Sequence, residues 1–242
     1  MEHGFWQRPR LFIHIPKNAG TYIRALITET PHRHEALAAK IITAGAGNLR
    51  SPQYEAQLLA TLAAQGDMQD VRHARWRDVG DLKRRHRAFA IVRNPWSRVV
   101  SRYLYLRKFQ REKREPFASD PAYQFRSFRH FLEDRHVFGT REHYWLRAIR
   151  SWYPQREYVI DDHGRIVCDL LRQEHLTDEL AAYFQVKLQV TIVNPTSADD
   201  YRRYYDAETV EIVARWYAAD IATFGFQFDT AASRNTWATK GT

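Results

Sequence analysis

The chain has 242 residues, 44% of them hydrophobic, with 37 Lys plus Arg against 28 Asp plus Glu and a formal net charge of +9. That length can bury a sizeable core and is read as one α/β domain, residues 1–242, while the positive field favours anionic partners. The single cysteine, Cys168, excludes an intramolecular disulfide and any multi-cysteine metal site; no stretch approaches the roughly 18 apolar residues of a membrane span, and Met1 to Arg10 lacks a signal-peptide core, so a soluble cytoplasmic protein is expected.

Leu11-Phe12-Ile13-His14-Ile15 is an apolar run with strand character, and Tyr22 to Ile27 has the apolar spacing of a short helix. Between them stands Pro16-Lys17-Asn18-Ala19-Gly20-Thr21, a turn that offers unpaired backbone N–H groups, a helix dipole and a lysine to a phosphate or sulfate group. Residues 30 to 53, with His32, His34, Gly45, Gly47 and Pro52, read as a surface excursion, and Tyr54 to Ala64 as a helix. Ala88-Phe89-Ala90-Ile91-Val92 is a continuous apolar strand of the kind buried on both faces of a parallel sheet. It leads through Arg93-Asn94-Pro95-Trp96-Ser97 into a helix predicted over Arg98 to Arg107, so two strand-loop-helix units bring their loops to comparable ends.

A charged connection from Arg107 to Pro121 precedes a helix near Phe125 to Glu133. Tyr158-Val159-Ile160 and Arg165 to Cys168 flank Asp161-Asp162-His163-Gly164, which reads as the turn of a β-hairpin. Thr177 to Phe184 is predicted helical with Thr177 as N-cap, and Asp206 to Phe224 as one longer helix. The segment 229–242 is polar and reads as a flexible tail.

A nucleotide-dependent phosphotransferase needs G-x-x-x-x-G-K-[ST], and here Lys17 precedes Gly20 instead of following a glycine at the helix start. Pro-Lys-x-x-Gly-Thr after one strand, with Arg93-Asn94-Pro95-x-x-Arg98-x-x-Ser101 after another, closely resembles the sulfotransferases that use 3′-phosphoadenosine 5′-phosphosulfate (PAPS). The likeness continues through Gln155 to Glu174, and Tyr204-Tyr205-Asp206 with Asp220-Ile221-x-x-Phe224-Gly225-Phe226 looks like the carboxy-terminal pattern of the carbohydrate branch, sulfotransferase family 2-like. The resemblance implies a P-loop-like three-layer α/β fold, a central parallel sheet flanked by helices, with PAPS at the carboxyl ends of the strands. It assigns the 5′-phosphosulfate to Pro16, Lys17, Asn18, Ala19, Gly20, Thr21 and Tyr22, and the 3′-phosphate to Arg93 and Ser101.

In that frame Lys17 neutralises charge on the bridging oxygen as the S–O bond breaks, and Gly20 admits the backbone close to the phosphate. Tyr22 stands where a small hydroxyl residue is usual, which removes a donor unless the phenol points away. A base must take the acceptor proton, and His73 in Arg72-His73-Ala74-Arg75-Trp76 matches the branch's His-Ala-Thr-Ala-like stretch, with His14 as its rival and Arg75 in place of a small polar residue.

The expected acceptor is the hydroxyl of a carbohydrate or glycolipid, with peripheral membrane contact in the latter case and no specific nucleic acid; Trp145 and Trp152 could stack on a sugar. No metal is expected, since His32 with His34 and His130 with His136 lack zinc-ligand spacing. Animal members of the family sit behind a Golgi membrane anchor, so this chain reads as a compact bacterial-type cytoplasmic enzyme. The alternatives are a P-loop phosphotransferase and a non-enzymatic polyanion binder using the Arg-rich stretch between Arg72 and Arg114. The sequence leaves the oligomeric state open.

Overall fold

The computed structural model describes residues 9–29, 37, 39–43, 73–114, 124–137, 153–188 and 200–233. The expected helix 54–64, His32, His34, Trp145, Trp152 and the terminal residues 234–242 lie outside these. Four strands, β1 (Arg10–Ile13), β2 (Ile41–Thr43), β3 (Ala88–Val92) and β4 (Cys168–Arg172), form one parallel sheet in the order β2-β1-β3-β4. Phe12 stands opposite Phe89, and Phe89 opposite Asp169. Because every strand runs the same way, the loops that follow them gather at one edge, where ligands of open α/β sheets bind.

Successive strand residues face opposite layers. Leu11, Ile13, Ala88, Ala90, Val92 and Leu170 pack on helices α3 (Pro95–Arg111), α4 (Phe128–Val137), α5 (Arg156–Val159), α7 (Ala207–Trp216) and α8 (Ala218–Phe224). Phe12, Phe89, Ile91 and Leu171 face the other way, onto Ile23 of α1 (Gly20–Arg24), Leu26 in the π-helical turn that continues it, and Leu180, Tyr183 and Phe184 of α6 (Leu176–Phe184). A short α2 (Leu82–Arg85) leads into β3. Each fully buried Phe or Leu of these layers contributes roughly 1.5–3 kcal/mol. The three-layer α/β expectation holds.

Several elements differ from the sequence reading. β2 falls inside the predicted excursion. Helix α3 starts at Pro95, because proline fits the first helical position and Asn94 Oδ1 accepts from the Trp96 and Ser97 N–H groups at 3.0 and 3.3 Å. The hairpin reduces to one antiparallel bridge, Ile160 with Ile166: Tyr158 and Val159 are helical in α5, and Cys168 opens a strand parallel to β3. The turn itself stands, with Gly164 at φ +76°. The N-cap of α6 is His175, with Thr177 inside the first turn. The helix expected over 206–224 breaks at Tyr217 (φ −113°, ψ 26°), a residue 1% exposed, after a capping box of Asp206 with Thr209 starts α7. Of the segment read as a tail, Ala232 is buried and its carbonyl accepts from Arg172 Nη1 at 3.3 Å. Among the described residues no helix is long and apolar enough to cross a membrane.

Candidate active site

The turn after β1 is shaped by two residues in the left-handed region, Lys17 (φ 70°) and Ala19 (φ 56°), the latter being the N-cap of α1. Asn18 between them is fully buried: its N–H donates to the Ile15 carbonyl (3.2 Å), and Nδ2 donates to the Ile91 carbonyl (2.7 Å) and to Gln155 Oε1 (2.6 Å). Pro16 is held from behind, its carbonyl accepting from Arg98 Nε at 3.1 Å while Arg98 Nη1 donates to the Tyr153 carbonyl at 2.8 Å. Thr21 is exposed, and the half-buried Tyr22 turns its phenol to Thr177 of α6, burial raising its pKa. The phenol therefore points away from the loop.

Lys17 lies with Nζ 4.0 Å from the centre of the Tyr105 ring on α3. Burial, then the guanidiniums of Arg102 and Arg93, push its pKa down to about 7. Arg93 follows β3 and is buried, with its pKa pushed down to about 10 by desolvation, which the Glu174 carboxylate partly opposes. Its Nε donates to Ser97 Oγ (2.9 Å) and Nη1 to the Lys17 carbonyl (3.1 Å), so among the described residues three of the five guanidinium N–H positions remain for another acceptor. Ser101 is buried on the second turn of α3.

Asn94 shapes the second loop from both ends of its amide. While Oδ1 caps α3, Nδ2 donates among the carbonyls of Gln227 (2.8 Å), Phe228 (3.2 Å) and Thr230 (2.9 Å). Its backbone N–H donates to Glu174 Oε1 at 2.7 Å, and burial raises the pKa of that carboxyl.

The carboxamide of Gln155 stands between the loops. Oε1 accepts from Asn18 Nδ2 (2.6 Å) and the Arg93 N–H (2.8 Å), and Nε2 donates to the Arg93 carbonyl (2.8 Å) and Asp220 Oδ2 (3.3 Å). Asp220, fully buried on α8, also accepts from the N–H groups of Gln155 (2.8 Å) and Arg156 (2.9 Å) at the start of α5. Desolvation pushes its pKa up to about 6 despite those bonds.

His73 and His14 meet with ring centroids 4.2 Å apart. Nδ1 of His73 lies 3.1 Å from the His14 carbonyl; that oxygen only accepts, so the bond places the proton on Nδ1 and the lone pair of a neutral ring on Nε2. Arg75, two residues on, grips Asp78 through Nε (2.9 Å) and Nη2 (3.0 Å). The imidazole of His14 lies against Gly20, where a Cβ would meet Nε2 at 1.5 Å. The structure thus joins Gly20, His14 and His73 through one chain of contacts, and Arg93 to Lys17 through another.

Sequence reasoning missed the roles of Gln155, Asp220, Glu174 and Arg102. Gln155, Glu174 and Asp220 fall in stretches that resemble the family, but nothing local gives their roles, because their partners lie far along the chain: 137 positions separate Asn18 from Gln155.

A parallel sheet with two cation-bearing loops at its carboxyl edge defines an anion-handling α/β protein. The chain belongs to the sulfotransferase family, whose model matches residues 9–227, and its activity is sulfuryl transfer. No curated protein and no solved structure matches it significantly.

Proposed function

We propose that the protein transfers the sulfuryl group of PAPS to a hydroxyl of a carbohydrate or glycolipid acceptor and releases adenosine 3′,5′-bisphosphate. The observation that carries this reading is the convergence of two cationic residues from the two loops, the Arg93 guanidinium donating to the Lys17 carbonyl at 3.1 Å, where burial and the guanidiniums of Arg102 and Arg93 push the Lys17 pKa down to about 7. An anion of the charge of a phosphosulfate relieves both penalties at once. Family membership supports PAPS as the co-substrate in general terms.

In this reading the loop from Pro16 to Tyr22 receives the phosphosulfate, with Lys17 and the backbone N–H groups at the start of α1 as donors. The remaining N–H groups of Arg93 and the Ser101 hydroxyl take the 3′-phosphate, which distinguishes the donor from ATP. The acceptor oxygen attacks sulfur as His73 Nε2 takes its proton; the bond from sulfur to the bridging oxygen breaks, and the bisphosphate leaves with the electron pair. Lys17 offsets the charge that grows on that oxygen, and the step balances without a metal ion. The enzyme is read as one domain acting in the cytoplasm.

Calorimetry tests this with adenosine 3′,5′-bisphosphate, with ATP plus magnesium as comparison. Binding near micromolar, about −8 kcal/mol, selective over ATP and lost in Arg93→Ala, is the expected result. Equal or better binding of ATP overturns the reading.

A further inference from the structure

The two loops of the site belong to different strands and share no covalent constraint, yet a donor with phosphates at both ends requires them at a fixed separation. The Gln155 side chain spans them. Gln155 is fully buried, and both positions of its carboxamide oxygen and both of its N–H groups are used, three of the four bonds going to Asn18 in the first loop and Arg93 in the second. The fourth, with the backbone N–H of the same residue, goes to Asp220. A carboxamide alone among side chains presents two acceptor sites and two donors in this plane.

We propose that Gln155, anchored by Asp220, is a positioning residue that sets the spacing between the Lys17 and Arg93 ends of the donor site, and thereby the protein's ability to read both phosphates of one nucleotide. The proposal rests on the donor reading above. Its geometry is over-determined in the way a bidentate site needs: the Arg93 guanidinium returns to the Lys17 carbonyl at 3.1 Å, so a shift of one loop strains two independent links. Asn18 carries the constraint into the loop between the left-handed Lys17 and Ala19. Leucine or methionine at 155 takes the Gln155 partner from one N–H of the Asn18 amide, from the Arg93 N–H and from the Arg93 carbonyl in a dry interior, whereas glutamate turns lone pairs toward the Arg93 carbonyl and the Asp220 carboxylate.

The experiment compares two ligands, adenosine 3′,5′-bisphosphate, which engages both loops, and 5′-AMP, which engages only the first. The wild type is expected to prefer the bisphosphate by about 100-fold. In Gln155→Met that preference falls below about tenfold while 5′-AMP affinity stays within roughly threefold of wild type, a split that general loss of stability does not produce. Gln155→Glu, close in shape and retaining the fold if methionine does not, regains preference relative to wild type as pH falls from about 8 to about 5.5, because the protonated carboxyl again donates a hydrogen bond. An unchanged preference in Gln155→Met, or a Gln155→Glu preference that does not rise with acid, overturns the proposal. A wild type without preference for the bisphosphate overturns the donor reading instead.

Discussion

The imidazole of His14 occupies the space a side chain on Gly20 would need, a Cβ there lying 1.5 Å from Nε2 and 2.1 Å from Cε1. The glycine therefore serves the neighbouring histidine as well as any approach of backbone to ligand. In Gly20→Ala the His14 ring must move and the His73 ring loses the neighbour that it touches, leaving the His14 backbone carbonyl alone to orient His73 Nδ1. The expected cost is about 1–3 kcal/mol of stability and at least roughly tenfold in kcat. In denaturant titrations Gly20→Ala combined with His14→Ala should recover most of the stability; equal losses in the single and double variants would show the clash to be irrelevant.

Lys17 gives the proposed donor site a pH dependence of definite sign. Its pKa is about 7 in the free protein and rises when an anion sits beside it. Below pH 7 the ammonium is already present, and above it binding must take up a proton, so bisphosphate affinity falls as pH rises, by at most about tenfold per pH unit. Calorimetry near pH 8 in buffers of different ionisation enthalpy should show uptake approaching one proton per ligand, absent in Lys17→Met. Heats that do not depend on the buffer contradict the assignment.

Arg98 binds no ligand in this account; it holds the back of the first loop. Buried, with Nε on the Pro16 carbonyl and Nη1 on that of Tyr153, it serves two acceptors that point in different directions. Arg98→Met should cost about 2–4 kcal/mol by stranding both carbonyls. Lysine, with a single donor centre, should rescue little of it. A melting temperature within error of wild type in either variant argues against the pin.

Asp220 contributes to stability in the opposite pH direction from a paired surface carboxylate. Its folded pKa, about 6, lies above the ordinary value of 3.8 for an unfolded aspartate. The folded state therefore holds its proton more tightly, and this contribution is fully present below about pH 4 and lost as pH rises through 6. Relative to Asp220→Asn, the wild type should gain on the order of 2 kcal/mol between pH 7 and pH 4. Denaturation curves of both proteins at the two pH values decide it, and a constant difference refutes the shift.

Two of the four strands were legible because their signals are local. β1 and β3 are continuous apolar runs followed by distinctive loops, and those loops contain Lys17 and Arg93. β4 hid because Asp169 and Arg172 interrupt its apolar character, and the groups that make those charges tolerable lie elsewhere: Arg87 and Tyr183 bind Asp169 at 2.5 and 2.6 Å, and Glu179 binds Arg172 at 2.5 Å. β2 is three residues long, too short for any period to declare itself. The same distinction runs through the site. The residues assigned to the ligand follow a motif, whereas Gln155 and Asp220, though they stand in stretches that resemble the family, act through partners that only the folded chain brings near.

The amide of Asn94 ties the start of α3 to the carbonyls of residues 227, 228 and 230. The second loop is thus completed by backbone from more than a hundred positions downstream. Around it Tyr205 donates to the Trp96 carbonyl at 2.8 Å and the Phe228 ring stands edge-on to Trp96. A chain ending at Phe226 would keep every letter of both motifs and lose the wall against which one of them is shaped. For this protein the recognisable signature and the smallest functional unit are therefore different lengths of chain.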